Sequence, residues 1–525
     1  MSQPTFSRRS FVQFATASAA GLALTRQFAA AQPASVKAST DVASLGRARH
    51  LFLDDHLLAE RKNATFVVNP PERKGLVLYP EKPWERAGVT SYANVFWDEF
   101  AKEFRLYYVP IIWKPEVRYC LALATSRDGI NWEKPNLGVV ERDGSKDNNI
   151  VIEDQREGTV LIDRNAPPER RYAYLSTHRE GAILFTSPDG IRFERSGAKI
   201  SSHQSDSQIS TFWDDQRRNF VHYLKVVNGE GEKWNAQVKV PEHIRFPQSE
   251  PLMRTVARVE TATLDATWQE PFLLVMSRDE QDPPGMDLYT NSCHKYGLAP
   301  DVYLGFPTPY YHYNPPHRKY LNEPALKLGG KTNDGSLDTQ LATSRDGIIW
   351  TRHRVPYVPM HREEGLNYWV NMVFPGMLYH PDRIDQFCAG YTFTHGDTGA
   401  RTRLQGRELG GYLRLSQRID GFISCDFDYA GGRVVTEPFR FEGSRLVLNL
   451  NTSASGEGRV AILDVAGKPI QDFGIDDCHY INGDYLEKTV EWNSGSDVNK
   501  LAGRPVRLAF EMRGTKLFSF RVKDV

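Results

Sequence analysis

Apolar and polar residues alternate with a period of two along most of this chain, in short runs broken by turn residues. Tyr92 to Trp97, Phe104 to Val109, Tyr172 to Ser176, Ile209 to Trp213 and Phe220 to Val226 are such runs. They are rich in β-branched and aromatic side chains, and helical periodicity is nearly absent, so the pattern predicts an all-β protein. A turn motif recurs among the strands. Ser126-Arg127-Asp128-Gly129-Ile130-Asn131-Trp132 returns as Ser344-Arg345-Asp346-Gly347-Ile348-Ile349-Trp350 and as Ser187-Pro188-Asp189-Gly190-Ile191-Arg192-Phe193. A stretched copy is Ser416 to Phe422, and a degenerate copy, Thr263 to Trp268, has lost its glycine. Asp-Gly supplies a tight turn and the serine hydroxyl bonds the turn backbone, so each copy marks a two-stranded ribbon.

A second ribbon lies upstream of each copy, as in Phe96-Trp97-Asp98 leading to Phe104 to Tyr108, and Phe212-Trp213-Asp214 leading to Phe220 to Tyr223. Two ribbons make four strands, and the unit recurs at a spacing of about 50–80 residues, the signature of propeller blades with decorated loops. The pattern therefore predicts a five-bladed β-propeller over residues 49–428, with the motif turns at equivalent places in the blades. A long β-sandwich is the alternative, but sandwiches do not repeat one hairpin signature in every second ribbon. The repeat stops near Asp428. Alternation continues beyond Gly432, so residues 432–525 are expected to form a small C-terminal β-sandwich, an accessory support.

The first 31 residues read differently. Arg8 and Arg9 precede an apolar, alanine-rich stretch that ends at Ala29-Ala30-Ala31. This is the layout of a twin-arginine signal peptide, followed by a linker over residues 32–48. The expected location is periplasmic or extracellular, and the export machinery is the expected partner of the precursor. No other apolar run approaches the ~20 residues of a membrane-spanning helix. The 525-residue chain carries 65 Lys plus Arg and 65 Asp plus Glu. That balance gives no reason to expect a nucleic-acid groove or an anionic membrane surface as partner. Five cysteines without a C-x-x-C pair argue against a disulfide scaffold and a structural zinc, so buried thiols are expected; a Cys425–Cys478 bridge is the alternative. Aromatics reach 11%, with 10 Trp and 23 Tyr, which suits both a β-core and the stacking of sugar rings.

In a propeller the innermost strands line a funnel, and residues at their mouths converge from distant parts of the chain. Acids stand before three successive inner strands. Asp206 lies in His203-Gln204-Ser205-Asp206-Ser207-Gln208; Asp287 ends the run from Asp279 and precedes Leu288-Tyr289; Glu364 lies in Arg362 to Trp369. Paired carboxylates are what glycoside cleavage needs, one protonated to assist the leaving group and one ionised. Asp206, Asp287 and Glu364 are therefore the candidate catalytic residues, expected within about 5–10 Å of a common sugar. Tyr289, Trp369, Tyr368, His203, Arg362 and Asn291 are the candidate substrate contacts. Asp338, Glu363 and Asp55 stand in reserve. The histidines, among them His294, His312 and His395, form no tight metal pattern, so no metal and no cofactor is expected. No serine-hydrolase elbow, P-loop or dinucleotide fingerprint is present in the sequence.

These residues carry a resemblance. The Leu51 to Asp55 opening, the Ala124 to Pro135 run, Gly144 to Ile150, Asp287-Leu288-Tyr289-Thr290-Asn291 and the C-terminal Leu446 to Asp464 and Leu501 to Phe510 are similar to a known group. The group is the five-bladed propeller glycoside hydrolases of arabinanase, levansucrase and invertase type. More narrowly, the chain resembles exported bacterial "glycosyl hydrolase family 32-like" proteins. The W-M-N-D-P-N-G, R-D-P and E-C motifs of invertases are absent from the sequence. The resemblance implies a hydrolase of extracellular oligo- or polysaccharides with acids on the inner strands, and transfers no individual catalytic residue. A non-catalytic carbohydrate-binding propeller is the alternative, and a phosphorolytic enzyme using Arg362 is a third.

Overall fold

The computed structural model describes residues 42–524 apart from 113–116, 178–179, 206, 229–234, 246–252, 284, 314–333 and 398. The chain is nearly all strand. Five successive four-stranded antiparallel sets follow one another, each beginning with an inner strand. The inner strands of the first three sets are Asn94–Asp98, Gly158–Ile162 and Ser210–Asp214. Those of the last two are His294–Lys295 and Val370–Val373. Middle strands such as Tyr172–Ser176 and Thr339–Ser344 are buried along their whole length, because both faces of each sheet pack on neighbours. Outer strands such as Thr351–Val358 alternate towards solvent.

Hydrogen bonds at and beside the inner strands tie the sets side by side. Asn94 donates to Val160 O at 2.8 Å, and Ser210 Oγ donates to Asn291 Oδ1 at 2.9 Å. Thr159 Oγ1 reaches Ile209 O, and Thr339 Oγ1 reaches Asn371 O at 2.9 Å. Val95 N donates to Pro375 O at 3.1 Å, which returns the fifth set to the first. At the far ends of these strands Trp97, Ile162, Phe212, His294, Gly376 and Tyr379 border one cavity of about 330 Å³.

The motif turns lie where the repeat places them. Those at Asp128, Asp189 and Asp346 each follow the third strand of a set, and the last two join it directly to the fourth. In each, the serine hydroxyl accepts the glycine N–H at 2.9–3.0 Å. The aspartate Oδ1 accepts the two amides that follow, as at Ile130 and Asn131, both 2.8 Å. The glycines take φ of +72°, +75° and +70°. Two of the turns are also hydrogen-bonded to a neighbouring set. Tyr107 OH donates to Gly190 O at 2.7 Å and Tyr223 OH to Gly347 O at 2.6 Å, so the repeat is an inter-blade fastening.

Two departures from the sequence reading concern the ends. The stretched copy at Asp420 does not lead to a fourth strand of its own set. Ile423–Phe427 leaves for the C-terminal sheet, and the vacant edge of the fifth set is filled by Glu72–Leu78, from before the first set. The C-terminal sheet is also wider than residues 432–525. His50–Leu51, Leu58–Lys62 and Ala64–Val68 pair into it beside Ile423–Phe427. The reason is burial. Phe52, Leu57 and Ala64 join Phe427, Phe510 and Trp492 in one hydrophobic cluster, around which the long strands Arg445–Leu463 and Arg507–Lys523 pair along almost their whole length. All five cysteines are free and buried, Cys425 and Cys478 included.

Candidate functional site

The N-terminal mouths of the inner strands converge on Tyr289. This half-buried tyrosine follows the strand Asp287–Leu288, which pairs with Pro309–His312 so that Asp287 faces Tyr310 across the ladder. The pairing puts Asp287, Tyr310 and Leu337 on one side of a small sheet. From the first set, Tyr92 OH stands 3.2 Å from Tyr289 OH. From the second, Arg156 lies 5.8 Å from the Tyr92 ring and is ion-paired with Glu157. From the third, Lys225 Nζ and Arg254 Cζ lie 5.5 Å and 5.6 Å from the Tyr289 ring centre. From the fifth, His395 packs edge-on to Tyr289 at 4.8 Å and to Tyr310 at 5.1 Å.

Asp287 is 1% exposed. Its Oδ2 accepts a 2.6 Å hydrogen bond from Arg254 Nη1 and lies 3.4 Å from His312 Nε2, while Oδ1 has no partner among the described residues. Burial pushes its pKa up, but the His312 and Arg254 contacts outweigh burial and hold the carboxyl below its usual range. Asp287 is therefore ionised at neutral pH and suits the role of base, nucleophile or anchor better than that of acid.

His395 is held by its own loop. Its backbone N–H donates to Gly335 O at 3.0 Å, and Asp334 clamps the loop through Thr394 Oγ1 at 2.9 Å and Gly396 N at 2.7 Å. Burial first, then the charges of Arg401, Arg254, His312 and Lys225, lower its pKa to about 3, so its ring stays neutral. Arg401, on the one-turn helix Ala400–Arg403, lies over Tyr391 and Phe393 at 5.5 Å and 5.0 Å. Its Nη1 donates to Ala87 O at 2.8 Å.

The sequence candidates divide on this geometry. Asp287 and Tyr289 lie at the convergence, and Trp369 packs on the same hydrophobic cluster as Tyr289. Asp206 lies outside the described residues. Glu364 is not at the mouth: it is the exposed φ +49° turn of the ribbon His361–Glu363 and Leu366–Tyr368, bonded to Arg407 at 2.7 Å. That ribbon carries Arg362 away as well, to a cavity shared with Glu72 and Arg73 at the outer edge of the fifth set, and Tyr368 stacks there on His361 at 4.7 Å. The inner strand begins only at Val370, which is why the run before it was misplaced. His203 is buried and bonds Lys225 O at 2.8 Å, so it supports the strand that carries Lys225. Asn291 is buried as the bridge between Ser210 and the Cys293 amide.

Sequence reasoning missed Arg156, Lys225, Arg254 and Arg401 and discounted His312 and His395 as scattered. The available signal was a charge inside an apolar β-run, as in Phe220 to Val226 around Lys225 and Arg254 in Met253–Thr261. Such charges are rarely buried without a task. Asp338, one of the reserve acids, sits one residue beyond Leu337 and so on the opposite side of the small sheet from Asp287. Burial raises its pKa to about 6. Among the described residues no group of three or more His, Cys, Asp or Glu side chains is gathered as a metal site.

No family profile and no curated protein sequence matches the chain. Several solved structures are similar to it. An α-L-arabinofuranosidase from Podospora anserina aligns at 11% identity and a TM-score of 0.40, over 67% of this chain and 98% of that one. A β-1,2-mannobiose phosphorylase from Listeria innocua aligns at 10% and 0.40, over 67% and 96%. An exo-β-1,3-galactanase from Phanerochaete chrysosporium aligns at 8% and 0.34, over 87% and 100%. Scores below 0.5 fix neither chemistry nor substrate.

Proposed function

We propose that this chain is a glycoside hydrolase of the five-bladed propeller type, with its sugar site at the mouth around Tyr289. The five four-stranded sets are read as its five blades. One observation carries the reading: Tyr92 before the first inner strand, Lys225 and Arg254 of the third set, Asp287 and Tyr289 before the fourth inner strand, and His395 after the fifth set's middle strand meet there, and they combine phenol faces and hydroxyls that hold sugars with an ionised carboxylate, Asp287. Asp287 is assigned the ionised role in cleavage. Asp206 is proposed as its partner from its place in the sequence before the third inner strand. Tyr289 and Tyr310 position the sugar.

The test is amide substitution. Wild type, Asp287→Asn and Asp206→Asn are incubated with a panel of plant and algal glycans, and new reducing ends are counted. Loss of about a hundredfold or more in turnover by both variants, with the fold retained, supports the assignment. Near-normal rates in both remove it. A second reading is favoured by the pairing of Asp287 with Arg254, which leaves that carboxylate neutralised: a carbohydrate-binding propeller without turnover. Wild-type protein that retains a glycan on an affinity gel and releases no reducing ends would establish that reading.

Export by the twin-arginine route to the periplasm or beyond is proposed from Arg8 and Arg9. Arg8→Lys with Arg9→Lys is expected to hold the precursor in the cytoplasm, seen by cell fractionation. Normal export of the double variant would remove the proposal.

A further inference from the structure

Arg401 differs from the two other arginines of the mouth. Arg254 has Asp287 and Arg156 has Glu157, each within ion-pair distance. Arg401 has no carboxylate partner among the described residues. Its hydrogen-bond partners are neutral, Ala87 O and the Tyr391 hydroxyl, and its guanidinium rests on the rings of Tyr391 and Phe393. The surroundings are deep enough that burial lowers its pKa despite the nearby phenols of Tyr391, Tyr119 and Tyr289. A guanidinium does not release its proton in a protein, so the charge stays, held by neutral groups and without a counter-charge among the described residues. Yet the residue as a whole is only half-buried, so part of it stays in reach of solvent.

The neighbours sharpen the point. Beside it stands His395, neutral, with Nδ1 unpartnered among the described residues. Gly88 flanks the guanidinium on the other side: a Cβ there would come within 3.1 Å of Arg401 Nη1, and φ is +105°. Planar donors in a fork, a neutral imidazole and a floor without a side chain make a cradle for an oxyanion.

We propose that Arg401 receives an oxyanion at this mouth, carried by the glycan as a carboxylate or sulfate ester or supplied as free phosphate. This rests on the reading of the mouth as a sugar site. Arg401 then selects charged sugars over their neutral counterparts, because an anion recovers the desolvation that the empty cradle leaves unbalanced.

The test is titration calorimetry of the full mature protein and of Arg401→Gln. The probes are galacturonate oligosaccharides, their carboxyl-reduced neutral forms, sulfated galactan oligosaccharides, their desulfated forms, and inorganic phosphate. Wild type is expected to prefer a charged probe by tenfold or more, and Arg401→Gln to lose that preference while keeping any neutral-sugar affinity. Preference for a charged oligosaccharide without phosphate binding places the anion on the sugar. Phosphate binding that Arg401→Gln abolishes makes it the free ion. Equal affinity of wild type for charged and neutral forms, or binding of no anionic probe, overturns the proposal. So does a preference that survives in Arg401→Gln. Should Arg401→Gln fail to fold, Arg401→Lys, which keeps the charge without the fork, is expected to weaken the preferred probe severalfold. Cleavage of neutral glycans that depends on Asp287 would leave the hydrolase reading standing while this one falls.

Discussion

At the turns that follow three of the third strands an aspartate meets backbone amides, whereas at the mouth Asp287 meets a guanidinium and an imidazole. Asp128, Asp189 and Asp346 lie in near-identical settings, each fed by two amide N–H groups and a serine. Backbone hydrogen bonds hold the Asp128 carboxyl well below its usual range at an exposed position. The mouth has no such repetition: no sequence motif recurs among the residues that meet there. The turns do one structural task several times over, and the mouth does one task once. Repetition along this sequence therefore reports architecture, and the residues that break it report the site.

The contrast can be broken most sharply at Asp287. Asp287→Asn leaves Arg254 buried without its counter-charge, which costs about 3–5 kcal/mol of stability. It should also lower turnover on a cleaved glycan by about a hundredfold or more. Asp128→Asn should leave turnover unchanged. Urea unfolding and reducing-end assays read both quantities, and equal loss of turnover in the two variants would erase the distinction.

Asp338 sharpens it through pH. Its pKa rises from 3.8 to about 6 in the folded chain, so between these values the native state holds a proton that the unfolded state has released. This group's contribution to stability therefore falls as pH rises through that window and stays low above it. Asp338→Asn should remove the decline, raising stability at pH 7 by up to about 3 kcal/mol while changing little at pH 3.5. Thermal melts across pH 3.5–8 test this, and a wild-type-like pH profile in the variant would refute it.

Gly347→Val probes the fastening of the turns. Its Cβ would meet Tyr223 OH at 2.6 Å from a φ of +70°, so a loss of about 2 kcal/mol is expected, with turnover per folded molecule preserved. The smallest effect is expected from Tyr107→Phe, which removes the hydrogen bond to Gly190 O, about 1 kcal/mol by urea titration.

What the sequence disclosed follows from the same contrast. The Ser-x-Asp-Gly turns were legible because their chemistry is local: four residues satisfy one another wherever they occur. The mouth is assembled from residues hundreds of positions apart, and only Asp287 and Tyr289 stood in a recognisable run. Glu364 looked equivalent because it precedes Trp369 and an apolar strand, but Gly365 at φ +82° folds that stretch into a ribbon of its own. Lys225 and Arg254 were hidden in strands whose apolar pattern dominates the reading. The pairing of Leu58–Lys62 and Ala64–Val68 with the C-terminal sheet leaves no local signature, since a strand does not record which distant edge it will meet.

That last pairing and the seating of Glu72–Leu78 at the edge of the fifth set bear on how the chain is made. A ribosome delivers residues 50–78 before any blade, yet their partners emerge after the blades' inner strands, at Ile423–Phe427, Gly432–Thr436, Gly410–Arg418 and Arg507–Lys523. The early strands must wait, unpaired, through the synthesis of every blade. The C-terminal sheet cannot be cut out as residues 423–525 alone without exposing a raw edge, because Leu58–Lys62 and Ala64–Val68 reach it from the other end of the chain, and the last strands added act as the clasp on both ends.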